Sequence, residues 1–258
     1  MGRSPASASR KRPARIDLPA DLVPATLVGR TGRFSVGAVL HTPAGDKPTR
    51  AHLPNSGRLQ EALEPGNEAR LRLMPGEKRV LPYSLALART AGGTWVSVDS
   101  GVPNKLFRVA FDAGLFPEFA KLTPRAEVRY GASRIDYALF RDASSAAALR
   151  EPRAIVEIKS CTYVGADGLA RFPDAPTGRG TRHLGELMKA VAEGLRAAVV
   201  FVIQRSDASG FAPNDAIDSE FGQALRQAAR AGVEIYAVSC DVDPTAVTVT
   251  GRVPVHLD

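Results

Sequence analysis

Two patterns divide this chain, and the change between them limits the folds open to it. From Leu22 to about Ser100 it never sustains a helical period. It runs in short β-prone pieces instead: TLVGR, FSVGAVLHT, EARLRLM, YSLALART and TWVSVDS. Glycine and proline separate them at TPAGDKP, EPGN, MPGEKR and AGG, sequences that turn a chain rather than extend it. About five short strands in roughly 80 residues predict a small β-barrel or sandwich. NKLFRVAFDAGLF then has helical spacing, with Leu106, Val109, Ala110 and Phe111 clustered, and bridges to the second half.

From Glu127 onward strands alternate with helices. AEVRYG and RIDYALF read as strands around the turn GAS, and AIVEIKSCTYV as a third. TRHLGELMKAVAEGL is a helix with Leu184, Leu187, Met188 and Val191 on one face. AAVVFVIQR is a buried strand, SEFGQALRQAARAG a helix closing on Gly232, and VEIYAVSC the final strand. The order βββαβαβ predicts an α/β domain with a mixed sheet. RDASSAAALREPR, between two of the strands, reads as a surface insertion.

Charge narrows the partners less than its total suggests. The formal net charge is +7, but the first fifteen residues, MGRSPASASRKRPAR, hold five of the basic residues and no acid. Without them the chain is nearly balanced, so a nucleic-acid surface on the folded part has to be a local patch. The tail is expected to be disordered, either a solubilising leader or a phosphate-seeking arm. No apolar run approaches the roughly 20 residues a membrane helix needs. Cys161 and Cys240 offer no disulfide framework, which with the missing secretory signal makes a cytoplasmic protein the expectation.

The chemistry-bearing feature is charge inside apolar strands. Glu157 and Lys159 stand two apart in IVEIKS and face the same way. Asp136, in SRIDYALF, lies on the preceding strand, and an antiparallel pairing brings it beside Glu157. Two close carboxylates repel unless one takes a proton or a cation sits between them. A hard ion such as Mg²⁺ or Mn²⁺ suits oxygen ligands, and a lysine beside it can orient water or stabilise phosphoryl charge. Asp…Glu-X-Lys on consecutive strands resembles the PD-(D/E)XK nuclease superfamily. The plain alternative is a Glu157–Lys159 ion pair on a solvent-facing strand.

A wider resemblance covers the chain from about residue 22. HLPNSGRL, LPYSLALA, EVRYGASRIDY, VEIKSCT, FPDAPTGRGTRHLGELM, FVIQR and GVEIYAVSC, in that order, resemble the sugar fermentation stimulation protein A family. Leu53 stands where that family usually has Cys, and Gly178 where it tends to have an acid. The resemblance implies an α+β chain: a basic tail over 1–16, an OB-like β-barrel over 17–104, and a restriction-endonuclease-like domain over 105–258. It also implies DNA binding.

The expected site is then Asp136 and Glu157 as ligands of Mg²⁺ or Mn²⁺, with Lys159 as the third catalytic group. Arg134, Arg179, Arg182, His183 and Arg58 are candidate nucleic-acid contacts, and Glu127, Asp174 and Gln204 are further candidates. Phe34, Tyr83 and Trp95 are the aromatic residues between 22 and 100, too few for a strong base-stacking platform. Two readings stay open at this point. One is a metal-dependent nuclease; the other is a non-catalytic DNA-binding regulator that keeps the nuclease fold. No membrane partner is expected, and the sequence does not set an oligomeric state.

Overall fold

The computed structural model describes residues 13–76, 79–130, 133–141 and 151–258. The first half closes into a barrel of five strands: β2 (Val23–Gly32), β3 (Ser35–Thr42), β4 (Gly45–His52), β5 (Glu68–Leu73) and β6 (Tyr83–Arg89). Their order is β4-β3-β2-β5-β6, and a parallel pairing of Ala51 with Tyr83 joins β6 back to β4. A short β7 (Trp95–Ser97) pairs with β6. In EARLRL the alternation is literal: Ala69 and Leu71 are buried while Arg70 and Arg72 face outward. Leu27, Val36, Leu53 and Leu85 complete the barrel core.

The second half is one seven-stranded mixed sheet. Its strands are β1 (Arg15–Asp17), β8 (Thr123–Tyr130), β9 (Ser133–Phe140), β10 (Ala154–Cys161), β13 (Arg196–Ile203), β15 (Glu234–Asp243) and β16 (Ala246–Arg252). Their order is β1-β16-β15-β13-β10-β9-β8, with β10, β13 and β15 parallel and the other pairs antiparallel. Helix α1 (Val102–Asp112) buries Leu106, Phe107 and Ala110 against one face. Helices α2 (Gly178–Ala192) and α3 (Ser219–Arg230) cover the other with Leu184, Leu187, Phe221 and Leu225. A small sheet of β11 (Tyr163–Val164), β12 (Leu169–Phe172) and β14 (Gly210–Pro213) lies beside β10 and α3.

Four features differ from the expectation. Strand β1 crosses the end of the stretch read as a basic tail: Arg15–Asp17 pair with Ala246–Thr248, and Ala14 is buried. It joins the C-terminal sheet, so neither the tail's end at 16 nor the barrel's start at 17 holds; residues 1–12 lie outside the described residues. Strand β4 occupies GDKPTRAH, half of which reads as a turn. It is a mostly exposed strand, with only Ala51 buried, so it lacks the apolar alternation that marks a strand. Strand β16 follows VEIYAVSC through the hairpin Asp243–Ala246, whose turn is held by Asp243 Oδ1 accepting from the amides of Thr245 and Ala246. The small sheet is a third layer that the sequence pattern does not separate from its neighbours, because its members span only two to four residues. Strands β9 and β10 do pair antiparallel; residues 142–150 of the insertion between them lie outside the described residues.

A polar seam joins the two halves. Ser97 Oγ donates to Gln204 Oε1 at 2.9 Å, and Gln204 Nε2 donates to Ser160 Oγ at 2.9 Å. Arg205 Nη1 meets Glu61 Oε2 at 2.6 Å and the Thr162 carbonyl at 3.0 Å, while its Nε meets Asp207 at 2.6 Å. The Leu59 amide donates to Asp174 Oδ2 at 3.0 Å. Gly57 lies against the same carboxylate; a Cβ there would stand 2.5 Å from an Asp174 oxygen, so only glycine permits the approach. Among the described residues no buried side-chain nitrogen or oxygen lacks a partner. No helix among them is long and apolar enough to cross a membrane.

Candidate active site

The site begins where two strands part. Strands β9 and β10 pair from Leu139–Ala154 to Tyr137–Val156, and there the ladder ends. Continued by one step it would set Asp136 opposite Glu157. Instead the Asp136 side chain takes over a backbone role: its Oδ2 accepts from the Ile158 amide at 2.8 Å. Its Oδ1 accepts from Asn104 Nδ2, on the first turn of α1, at 3.0 Å. Burial raises the Asp136 pKa, and the charge of nearby Glu157 raises it further; the two hydrogen bonds and Lys159 oppose this without cancelling it.

Glu157 and Lys159 share the face of β10 that α2 covers. Lys159 Nζ donates to Glu157 Oε1 at 2.6 Å. His183, on α2, meets the same oxygen through Nδ1, and Arg179, one turn earlier, donates from Nε to His183 Nε2 at 3.4 Å. The pattern sets the imidazole as an Nδ1–H donor with Nε2 accepting. Burial would push the Glu157 pKa up, but the His183 hydrogen bond and the Lys159 charge outweigh it and hold it below the ordinary range. So two neighbouring carboxylates are pulled in opposite directions.

These groups line one cleft of about 480 Å³, walled by both halves of the molecule. The barrel contributes Arg33, Asn55, Ser56 and Gly57; the sheet domain contributes Asn104, Asp136, Glu157, Lys159, Arg179 and His183. The Glu157–Lys159 pair of the plain alternative exists, but not on a solvent-facing strand: β10 is central, and Glu157 is only 5% exposed. The two cysteines take no part. Both are buried, and burial pushes their thiol pKa values up, that of Cys240 to about 12.

The other expected residues scatter. Arg134 and Glu127 pair with each other on the exposed edge of the β8–β9 hairpin, outside the cleft lining. Arg182 is exposed and also outside the lining, since it sits off the α2 face that carries Arg179 and His183. Arg58 lines a separate crevice of about 140 Å³ with Asp174 and Glu61. Asp174 borders the cleft as well, but its carboxylate is engaged by Leu59. Gln204 is wholly buried in the seam. Sequence reasoning missed Asn104 and Arg33. Asn104 sits in the first turn of an amphipathic helix, where a polar residue is ordinary, so nothing local sets it apart.

Comparison with known proteins settles the family. The model for the sugar fermentation stimulation protein RE domain matches residues 101–246, and that for the SfsA N-terminal OB domain matches residues 28–98. The chain belongs to the sugar fermentation stimulation protein family. The homolog of Moorella thermoacetica is 45% identical over 246 residues, covering 94% of this chain and 100% of the relative. That of Symbiobacterium thermophilum is 45% identical over 247 residues, covering 90% and 94%. Among solved structures, Pyrococcus furiosus SfsA in complex with Ca²⁺ matches with a TM-score of 0.80 and 27% identity, over 93% of this chain and 98% of that one. The OB barrel and the mixed α+β architecture are thus those of the family.

Proposed function

We propose that this protein is a DNA-binding nuclease that hydrolyses phosphodiesters with a divalent metal ion held by Asp136 and Glu157. The observation that carries the reading is the parted ladder: at its end the half-buried Asp136 and the buried Glu157 line one cleft, each within the other's electrostatic reach, with Lys159 on Glu157. The donor set fits a hard ion. Asp136 is burdened by the charge of Glu157, and a cation between them relieves both. Ile158 turns its amide toward Asp136, and a strand residue presents its amide and carbonyl to the same edge, which offers a third oxygen.

Among the described residues no cluster of three or more His, Cys, Asp or Glu side chains forms a metal cage. Asp136 and Glu157 are as many protein ligands as Mg²⁺ commonly uses, since it completes its shell with water and substrate phosphate. The Ca²⁺ bound by the Pyrococcus relative is another oxygen-seeking cation and supports the same reading.

When bound, such an ion polarises a phosphoryl oxygen and lowers the pKa of a water. The residues of the chain do the rest. Lys159, held beside Glu157 on the same face of β10, would orient the attacking water or stabilise charge on the phosphate. His183 keeps Glu157 oriented through Nδ1–H, and Arg179 fixes the imidazole while reaching the cleft mouth as a phosphate contact. Arg33 adds a cation from the barrel side.

The test is incubation of the purified protein with plasmid and oligonucleotides in Mg²⁺, Mn²⁺ or EDTA. Cleavage should require the ion and vanish in both Asp136→Ala and Lys159→Ala. Metal-free DNA binding should be kept or strengthened by Asp136→Ala and weakened by Lys159→Ala, opposite signs that a general folding defect cannot mimic. If the wild type cuts no single-stranded, duplex or branched nucleic acid with either ion, the enzyme reading fails and a DNA-binding regulator stands.

A further inference from the structure

We infer that the cleft is built for single-stranded DNA, with one base stacked on Phe34 at its rim and an adjacent phosphate held by Arg33. This rests on the nuclease reading and adds the substrate class to it.

The first argument is depth. The Glu157 and Lys159 side chains are only 6% and 11% exposed, so a scissile phosphate has to descend to reach them. The barrel wall over them is fixed by the seam: Leu59 to Asp174, Ser97 to Gln204 and Glu61 to Arg205. Duplex DNA has a persistence length of about 150 base pairs, so bending it to bring one phosphodiester into such a recess costs elastic free energy. Enzymes that work in deep pockets use single strands or extrude a nucleotide. A single strand bends at each residue and enters without that cost.

The second argument is Phe34. It sits at the tip of the β2–β3 hairpin and is 46% exposed, one of four large exposed hydrophobic residues among those described. The Arg33 guanidinium lies 5.3 Å from its ring centre, and Arg33 is itself a wall of the cleft. The ring is therefore tied to the cleft rim, with a cation next to it. That pairing is what a nucleotide offers partners to: a base for the ring and a phosphate for the guanidinium.

The third argument is the fate of the other barrel aromatics. Trp95 packs against the core of the sheet domain and carries a guanidinium from each of two arginines, Arg70 at 5.0 Å and Arg89 at 5.7 Å from its ring. Tyr83 packs against the barrel core. Phe34 is left as the stacking side chain, a single anchor and not a platform. Stiff rings at such anchors lose little entropy on binding, which favours a phenylalanine over a flexible side chain.

The experiment uses the full chain in EDTA, so that nothing is cut. Fluorescence anisotropy follows binding of a labelled oligonucleotide and of the blunt duplex of the same sequence. 2-Aminopurine within the single strand reports stacking by quenching. We expect the single strand to bind at least about tenfold more tightly than the duplex, Phe34→Ala to cost about tenfold and abolish quenching, and Phe34→Trp to retain both. Val28→Ala, a change at another exposed apolar residue of the barrel, should alter neither. The thermal unfolding of Phe34→Ala should match the wild type, since the ring is outside the core.

A wild type that binds neither form overturns the nuclease reading together with this inference. Binding and Mn²⁺-dependent cutting without preference for the single strand overturn this inference alone, as does an unchanged affinity in folded Phe34→Ala. An RNA of the same sequence bound tenfold more tightly than the DNA overturns the assignment to DNA.

Discussion

The seam and the cleft are built from the same residue types, and they differ in what is left over. At the seam Gln204 uses its oxygen and its amide nitrogen on Ser97 and Ser160, and Arg205 is divided among Glu61, Asp207 and the Thr162 carbonyl. Each charge there meets its opposite and each donor an acceptor. In the cleft Glu157 has Lys159 and His183 on one oxygen, while Asp136 has two neutral donors and the charge of Lys159 set against burial and the repulsion of Glu157, which win. A buried polar network that is fully satisfied rigidifies a fold. One with unbalanced charge carries a cost that a ligand can relieve. The difference separates holding from doing, and the variants below test whether it is real.

The largest effect should come from the cleft. Asp136→Asn keeps the shape, and its amide can still accept from Ile158 while Asn104 turns to accept from it. Cleavage should nevertheless fall by more than about 10³-fold, the loss expected when several kcal/mol of electrophilic assistance disappear. Single-turnover cutting in Mn²⁺ measures it. A variant that cuts within tenfold of the wild type would place the chemistry elsewhere.

The seam should answer in stability instead. Arg205→Ala removes a cation whose side chain is only 5% exposed and leaves Glu61 and Asp207 unpaired. Breaking a fully buried pair costs about 3–5 kcal/mol. Here the two acids are about a third exposed, so water takes part of their charge, and about 2–3 kcal/mol is expected from denaturant unfolding. Cutting per folded molecule should stay close to wild type. A stability change under about 0.5 kcal/mol would reduce the seam to a surface contact.

Gly57→Ala tests the seam at a second contact, by adding an atom against Asp174. The new Cβ collides with the Asp174 carboxylate, and one loop has to withdraw. About 1–2 kcal/mol should be lost, within the range of overpacked sites. The amide of Leu59 should then exchange faster with solvent, because its bond to Asp174 is stretched.

The same contrast explains what could be read without coordinates. Asp136, Glu157 and Lys159 were legible because charge inside an apolar strand has few ordinary uses, and strand alternation put two of them on one face. The order of strands and helices carried the domain division for the same reason, since the period of apolar residues changes near Ser100. Gln204 and Asp174 stand out in the sequence, but their partners do not: Gln204 bonds Ser97 and Ser160 in the seam, and Asp174 borders the cleft while accepting from Leu59. A polar residue at a strand end looks alike whether it lines a site or seals a seam, and only the partner chain segment decides. Glu127, a further candidate from the sequence, has a positive φ of 57°, and its side chain turns to Arg134 on the exposed edge. Strand β4 was hidden because exposure, not burial, shaped its sequence.

The smallest effect is the most direct measure of the imbalance in the cleft. Asp136 has a raised pKa, so the folded state holds its proton more tightly than the unfolded chain does. Its contribution to stability is fully present below the ordinary value of 3.8 and is lost as pH rises through the folded pKa. Glu157 has a lowered pKa and behaves in the opposite sense: its contribution is present above the ordinary 4.5 and is lost as pH falls through the folded value. Asp136→Asn removes the first effect and keeps the second. Without metal, the variant should therefore gain on the wild type as pH rises from below 3.8 toward neutrality, the difference levelling off above the folded pKa of Asp136. Mn²⁺ should shrink or reverse the gap at neutral pH, because it stabilises only the chain that keeps both carboxylates. Urea titrations across that pH range, with and without Mn²⁺, read both. A gap that stays constant with pH would mean that Asp136 is as well satisfied as Gln204, and the cleft would then be another seam.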